Sequence, residues 1–218
     1  MVVSGKLWRD ALVMQDKETG SLWTQITGES FRGELQGTRL ETYPFEMVSW
    51  KEWVGAHPDT KVLVKEEDAR GEGSRYQKYF SDPDRTGIFG REVADTRLAH
   101  KDVVLAVDSP KGAKAYLLTK LPRSRVLEDA VGTMPVAVFS AGGGGFSVFR
   151  REVGDHLVDL ALQEGRLIDT SGSGAGPWDP RTGRALEDGD DLVRLPSHET
   201  YWFGWVSFRP KSEVWAGE

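Results

Sequence analysis

The densest run of short polar side chains is DKETGS, which sets Asp16, Glu18, Thr19 and Ser21 ahead of Trp23. Two carboxylates two residues apart outline an acid and base pair, and Asp16 and Glu18, joined by His57, are the catalytic candidates. The preferred reading is plainer: a hairpin turn whose Asp and Thr bond their own backbone. Histidine occurs at His57, His100, His156 and His198, with none of the H-x-x-H, H-x-H or H-E-x-x-H spacings that would pre-arrange a metal pocket. His57 follows a helix end, and Arg209 takes the matching place later, so a shared cation at a helix C-terminus explains the position better than metal does. DPDRTGIFGREV puts Asp82, Asp84, Thr86 and Gly87 at calcium-loop positions. Glu92 arrives one residue early and no helical pattern flanks it, so Asp82 and Asp84 read first as an Asp-Pro turn and only second as metal ligands.

Other chemistries are excluded by type. The chain has no cysteine, which removes thiol nucleophiles, thiolate metal sites and disulfides. No G-x-S-x-G elbow is present. SAGGGGFSVF and SGSGAGPW lack the lysine of a phosphate loop and open onto no helical pattern, so they read as loops and no cofactor is expected.

Tryptophan is the remaining functional signal, with 8 residues. Indoles line sugar and aromatic-ligand sites, but the pairs Trp50/Trp53 and Trp202/Trp205 have the spacing of a buried helical stripe. Trp8, Trp23 and Trp178 fit a helix face less well. With Ser21 and Gln25 they are the ligand-binding candidates.

The elements behind these residues are written twice. Asp16 matches Asp169, Trp23 matches Trp178, Gly28 matches Gly183 and Leu40 matches Leu195. After a loop three residues shorter, Trp50, Trp53, Val54, Pro58 and Val62 match Trp202, Trp205, Val206, Pro210 and Val214. Both copies read W-x-x-W-V-x-x-(H/R)-P-x-(T/S)-x-V. Trp50, Trp53, Pro58, Trp202, Trp205 and Pro210 are thus residues of a structural repeat. Ser49 and Glu52 have the capping-box spacing, which predicts a helix over 49–56 whose Trp50, Trp53 and Val54 share a packing face. Its counterpart is expected over about 198–208. TKVLV reads as a short buried strand, and SLWTQI with the glycine-punctuated run after it as short strands. Residues 65–87 are charged and aperiodic, the pattern of a surface connector. Strand-like runs follow it, from DVVLAVD to HLVDLAL. The expected fold is mainly β, or α+β with strands dominant, in two related units: 1–64 abbreviated, 65–100 connecting, 101–218 complete, free to pack as one domain.

Bulk composition is that of a globular chain, with 218 residues, 39% hydrophobic and 28% charged. A net charge of −6 argues against nucleic acid as a partner. No export signal is written at the N-terminus, and no apolar run approaches the roughly 20 residues of a membrane span.

VSGKLWRDALVMQDKETGSLWTQITGE, GTRLE and WKEWVGAHPDTKVL closely resemble the bacterial family catalogued as domain of unknown function 3179. The likeness is strongest over residues 3–63 and weaker over 112–215. The resemblance implies an exported or lipid-anchored protein without an assigned activity. Members carry, ahead of the segment matched here, a strand block with a His-Glu pair and a Cys-Pro-x-Cys stretch. That block would precede Met1, and the second copy has Ser124 and Arg125, then Ala141 to Gly145, at the corresponding places. The expected function is a non-catalytic module that binds a small ligand or a partner. The alternative is a degenerate form of an enzyme or metal protein whose reactive His/Cys block is missing.

Overall fold

The computed structural model describes residues 1–63, 77–90, 92–123, 125–140 and 145–217. Ser124, residues 141–144 and most of the 65–87 connector lie outside that set. Strand outweighs helix, 37% to 11%, so the fold is mainly β.

The chain opens with an antiparallel meander, β1 (Val2–Trp8), β2 (Ala11–Gln15), β3 (Leu22–Thr24) and β4 (Ser30–Arg32), hydrogen-bonded in that order. Arg9 and Asp10 both take positive φ, as a two-residue hairpin turn of primed type requires. Two short helices follow, α1 (Trp50–Ala56) and α2 (Gln77–Ser81). The hairpin β5 (Val103–Ser109) and β6 (Gly112–Leu117) precedes β7 (Leu127–Val131), β8 (Met134–Phe139) and β9 (Ser147–Arg150). Small hairpins come next: β10 (Glu152–Val153) with β11 (His156–Leu157), and β12 (Leu160–Gln163) with β13 (Arg166–Asp169). The chain closes with β14 (Arg194–Leu195), β15 (Ser197–Tyr201), α3 (Trp202–Phe208) and β16 (Glu213–Trp215).

Two four-stranded sheets, β15-β5-β6-β16 and β14-β9-β8-β7, make the middle layers. Leu105, Val107 and Tyr116 from the first pack on Val136, Val138 and Val148 of the second. The other face of β5 and β6 offers Val104, Ala106, Ala115 and Leu117 to Trp202 and Trp205 of α3. The other face of β8 and β9 packs Phe139 and Phe149 against Leu167, Trp178 and Leu192. Because both faces of these strands are covered, they are written as continuous apolar runs, VVLAV and VAVF, rather than in alternation. Ion pairs tie the opening meander to these layers: Arg209 reaches both Glu29 and Asp108, and Arg39 reaches Asp108.

Three sequence expectations are corrected. The second helix begins at Trp202, and 197–201 are instead β15, paired along five residues with β5. Tyr201 supplies no side-chain cap there, so strand pairing decides the start. TKVLV is not a strand over residues 60–63, and Val64 lies outside the described set. Its counterpart, β16, is a strand because it pairs parallel with β6, whereas 61–63 pair with no strand of the described residues. Finally, Leu40 corresponds in geometry to Leu192 rather than Leu195. Leu40 N–H donates to Gly28 O at 2.9 Å and Leu192 N–H to Gly183 O at 2.8 Å, so the shorter loop falls before this residue. Gly183 has φ +77°, and a Cβ there would lie 2.5 Å from Leu192 O.

Among the described residues no helix is long and apolar enough to cross a membrane.

Candidate functional site

α1 forms as expected. Ser49 Oγ accepts from Glu52 N–H at 3.3 Å while Glu52 Oε2 accepts from Ser49 N–H at 3.0 Å, closing the capping box. The Ser49 hydroxyl and amide hold the Glu52 carboxyl below its usual range. At the other end the His57 N–H returns to Trp53 O at 2.8 Å.

The packing of this helix departs from expectation. Trp50 and Trp53 are 55% and 42% exposed, and α1 buries none of its residues. Trp202 and Trp205, at the same places in α3, are 0% exposed. The difference is what lies beneath: α3 sits on β5 and β6, and no sheet of the described residues lies under α1.

Beside α1 runs a groove of about 350 Å³. One wall is Trp53, Ala56 and His57 of α1 with Phe45 and Val48 ahead of it; the other is Arg181, Thr182 and Arg194. Glu46 anchors the floor by accepting from Ser147 Oγ at 2.6 Å and from Arg194 Nη2 at 2.8 Å. Arg194 Nη2 also donates to Ser147 Oγ at 3.0 Å. Trp53 Nε1–H is taken by Thr60 Oγ1 at 2.9 Å, and its ring meets the His57 ring at 4.1 Å and 38°. The indole N–H of this wall is therefore satisfied internally, and the wall is rich in aromatic and apolar side chains. Such a surface holds a planar or apolar group by stacking and burial.

The other sequence candidates lie elsewhere. Asp16 accepts from Glu18 N–H at 2.9 Å and Thr19 Oγ1 at 2.8 Å, in the turn between β2 and β3. Those bonds, Glu18 N–H foremost, lower the Asp16 pKa. His57 caps the C-terminus of α1, and no hydrogen bond or ion pair of the described residues joins it to Asp16 or Glu18. Ser21 is buried, sharing a hydrogen bond with Thr19 and accepting from Leu35 N–H at 3.1 Å. Trp23 and Trp178 are buried too, the latter donating from Nε1 to Asp190 O at 2.8 Å, so neither shows a ring to solvent. Gln25 is exposed. Trp8 stacks on Phe31 at 4.2 Å and meets Phe208 edge-on. Asp82 accepts from Asp84 N–H at 3.1 Å, a local turn. Among the described residues no group of three or more His, Asp or Glu is placed to hold a metal. Arg209 is committed to its ion pairs, while His57 is committed to Trp53.

Sequence reasoning missed Phe45, Glu46, Val48, Arg181 and Arg194. The alternation Tyr43-x-Phe45-x-Met47 was the available signal for an outward apolar edge. It also missed Asp169 as an organiser. Burial opposes ionisation there, but bonds from Ser173 and Ser171 outweigh it and hold the carboxyl at about 2.

Fold and groove together define a class: a mainly-β protein of small sheets with an aromatic helix turned to a groove instead of a core. The chain belongs to the family described as Protein of unknown function (DUF3179), whose model matches residues 1–212. No curated protein and no solved structure matches it.

Proposed function

We propose that this chain is a non-catalytic binding module whose recognition face is α1 and the groove beside it. One observation carries the reading: two helices of equal length and matching tryptophans differ in that one pair is buried and the other bare. Adjacent exposed indoles and Phe45 make an apolar patch of the kind that marks an interaction site. The satisfied state of Glu46, Glu52 and Trp53 Nε1 favours recognition over chemistry. The matching local geometry around the two helices supports the internal-duplication reading as well. An extracytoplasmic setting belongs to the same proposal and rests on the family resemblance.

A thermal-shift panel of glycans, aromatic carboxylates and apolar peptides tests it on wild type and Trp53→Ala. A ligand at about 100 times its Kd stabilises the folded state by ~2.7 kcal/mol. The expected result is a ligand whose shift disappears in Trp53→Ala. Absence of any Trp53-dependent shift overturns the reading, and stoichiometric bound metal in the purified protein replaces it with the metal-centre alternative.

A further inference from the structure

α1 closes its own bonds. The capping box of Ser49 and Glu52 satisfies its first turn, the His57 N–H returns to Trp53 O, and Trp53 Nε1 donates to Thr60 Oγ1 at 2.9 Å. Residues 49–60 thus hold their shape by contacts within the segment. What fixes the segment on the sheets is decided just upstream of the helix.

There the chain crosses the start of β9. Glu46 Oε1 accepts from Ser147 Oγ at 2.6 Å and from Arg194 Nη2 at 2.8 Å, and the Glu46 and Arg194 side chains are only 18% and 20% exposed. Gly145 lies against the same stretch. A Cβ on it would come within 3.1 Å of Glu46 Cβ and of Met47 O, and within 3.3 Å of Val48 Cγ1. Its φ is not in the left-handed region, so the passing backbone, and not its own conformation, calls for glycine there. Arg123, over the Phe146 ring at 5.2 Å, adds a cation near Glu52.

We propose that residues 45–48 are a strap, latched by Glu46 onto Arg194 and Ser147, and that strap and α1 swing off the sheets as one unit while the sheets stay folded. The proposal rests on the binding-face reading above and gives that face its regulation. Phe45, Val48, Trp53 and Ala56 on one wall of the groove travel with the strap, while Thr182 and Arg194 stay with the sheets, so opening the latch widens the groove.

The comparison with α3 carries it. Trp50 matches Trp202, which sets Glu46 at the place of His198. His198 lies in β15, which pairs with β5 from Ser197 to Tyr201, so α3 is entered from a strand bonded into a four-stranded sheet. Residues 45–48 pair with no strand of the described residues, and a side-chain latch takes the place of that ladder. A ladder opens only as its sheet comes apart. A latch centred on one carboxylate opens by itself, at the low end of the range of local openings. The pivot is at Leu40, whose N–H donates to Gly28 O at 2.9 Å and ties the chain to the opening meander ahead of the strap.

Hydrogen exchange of the full protein at rising urea, read by mass spectrometry, tests it. In wild type, peptides covering 45–57 are expected to exchange through openings that depend little on urea, while peptides of β5 and β8 follow global unfolding and its steep urea dependence. Two variants attack the latch from opposite sides: Glu46→Gln removes the charge, and Gly145→Val drives a side chain into the strap. Each should speed exchange over 45–57 at low urea about tenfold or more, the worth of a hydrogen bond to a charged group. A role confined to general stability would lower the urea midpoint yet leave that low-urea exchange unchanged. Such an unchanged rate in either folded variant overturns the proposal, as does a wild-type urea dependence over 45–57 equal to that of β5 and β8. Should Gly145→Val not fold, Glu46→Gln decides alone. If the thermal-shift panel finds a Trp53-dependent ligand while the exchange fails these tests, the latch falls and the binding face stands; if the latch opens as described and no such ligand is found, the binding face falls and the regulation of the groove with it.

Discussion

Trp205 donates its indole N–H to Ser212 Oγ at 2.8 Å in the buried interior beneath α3. The hydroxyl has a second duty, donating to Glu213 O at 3.1 Å where β16 begins. Removing it strands a buried donor, which costs ~1–3 kcal/mol. Ser212→Ala is therefore expected to lower the urea midpoint clearly, and Thr60→Ala, at the exposed counterpart, to shift it by less than ~0.5 kcal/mol. Equal losses in the two variants would contradict the unequal burial.

The tryptophans themselves give a larger contrast. Trp205→Ala opens a cavity between α3 and β5 and is expected to cost ~3–5 kcal/mol. Trp50→Ala touches an exposed ring and should leave stability within about 0.5 kcal/mol. Chemical denaturation of the two proteins checks this, and a destabilised Trp50→Ala would mean α1 is packed.

Asp108 is held by two arginines, Arg209 at 2.6 Å and Arg39. Burial works against its ionisation, yet hydrogen bonds and charge from Arg209, then Arg39, keep its pKa lowered. Asp108→Asn keeps the shape and removes the charge that joins the opening meander to β5 and α3. A loss of ~1–3 kcal/mol is expected, little changed by added salt because Asp108 and Arg209 are largely buried. A loss abolished by moderate salt would place the pair at the surface.

Stability should fall on the acid side through His198. Its ring packs edge-on to Trp205 at 5.5 Å with Nε2 buried and unpartnered. Burial lowers its pKa, opposed in part by the charge of Asp108. The folded protein keeps the ring neutral where an unfolded chain, titrating near 6.5, takes up a proton. Stability is therefore full above about pH 6.5 and declines below it until the folded pKa is reached. His198→Gln should flatten the slope between about pH 7 and about pH 5, measured by urea midpoints at each pH. An unchanged slope would assign the acid sensitivity to other groups.

What was legible in the sequence was local. The capping box of Ser49 and Glu52 is a contact three residues long, and it formed as written. The mainly-β character followed from the branched, aromatic runs of β5 and β8. Burial of the two W-x-x-W pairs was not legible, because a helical stripe records which side is apolar and not whether anything lies against it. The groove was hidden for a related reason. Glu46 meets Ser147 across 101 positions and Arg194 across 148, and no short window of sequence holds both. Residues 198–201 were assigned to the helix because their partner, β5, stands nearly a hundred residues upstream.

The exposed rings of α1 and the apolar side chains near it also bear on how the protein behaves in concentrated solution. Tyr43, Phe45, Met47 and Leu63 are exposed apolar side chains, and repulsion between chains of net charge −6 opposes their association. Raising the salt weakens that repulsion, and so does lowering the pH toward the isoelectric value of about 5.4. Clouding is therefore expected to begin at these exposed side chains, well before any part of the molecule unfolds.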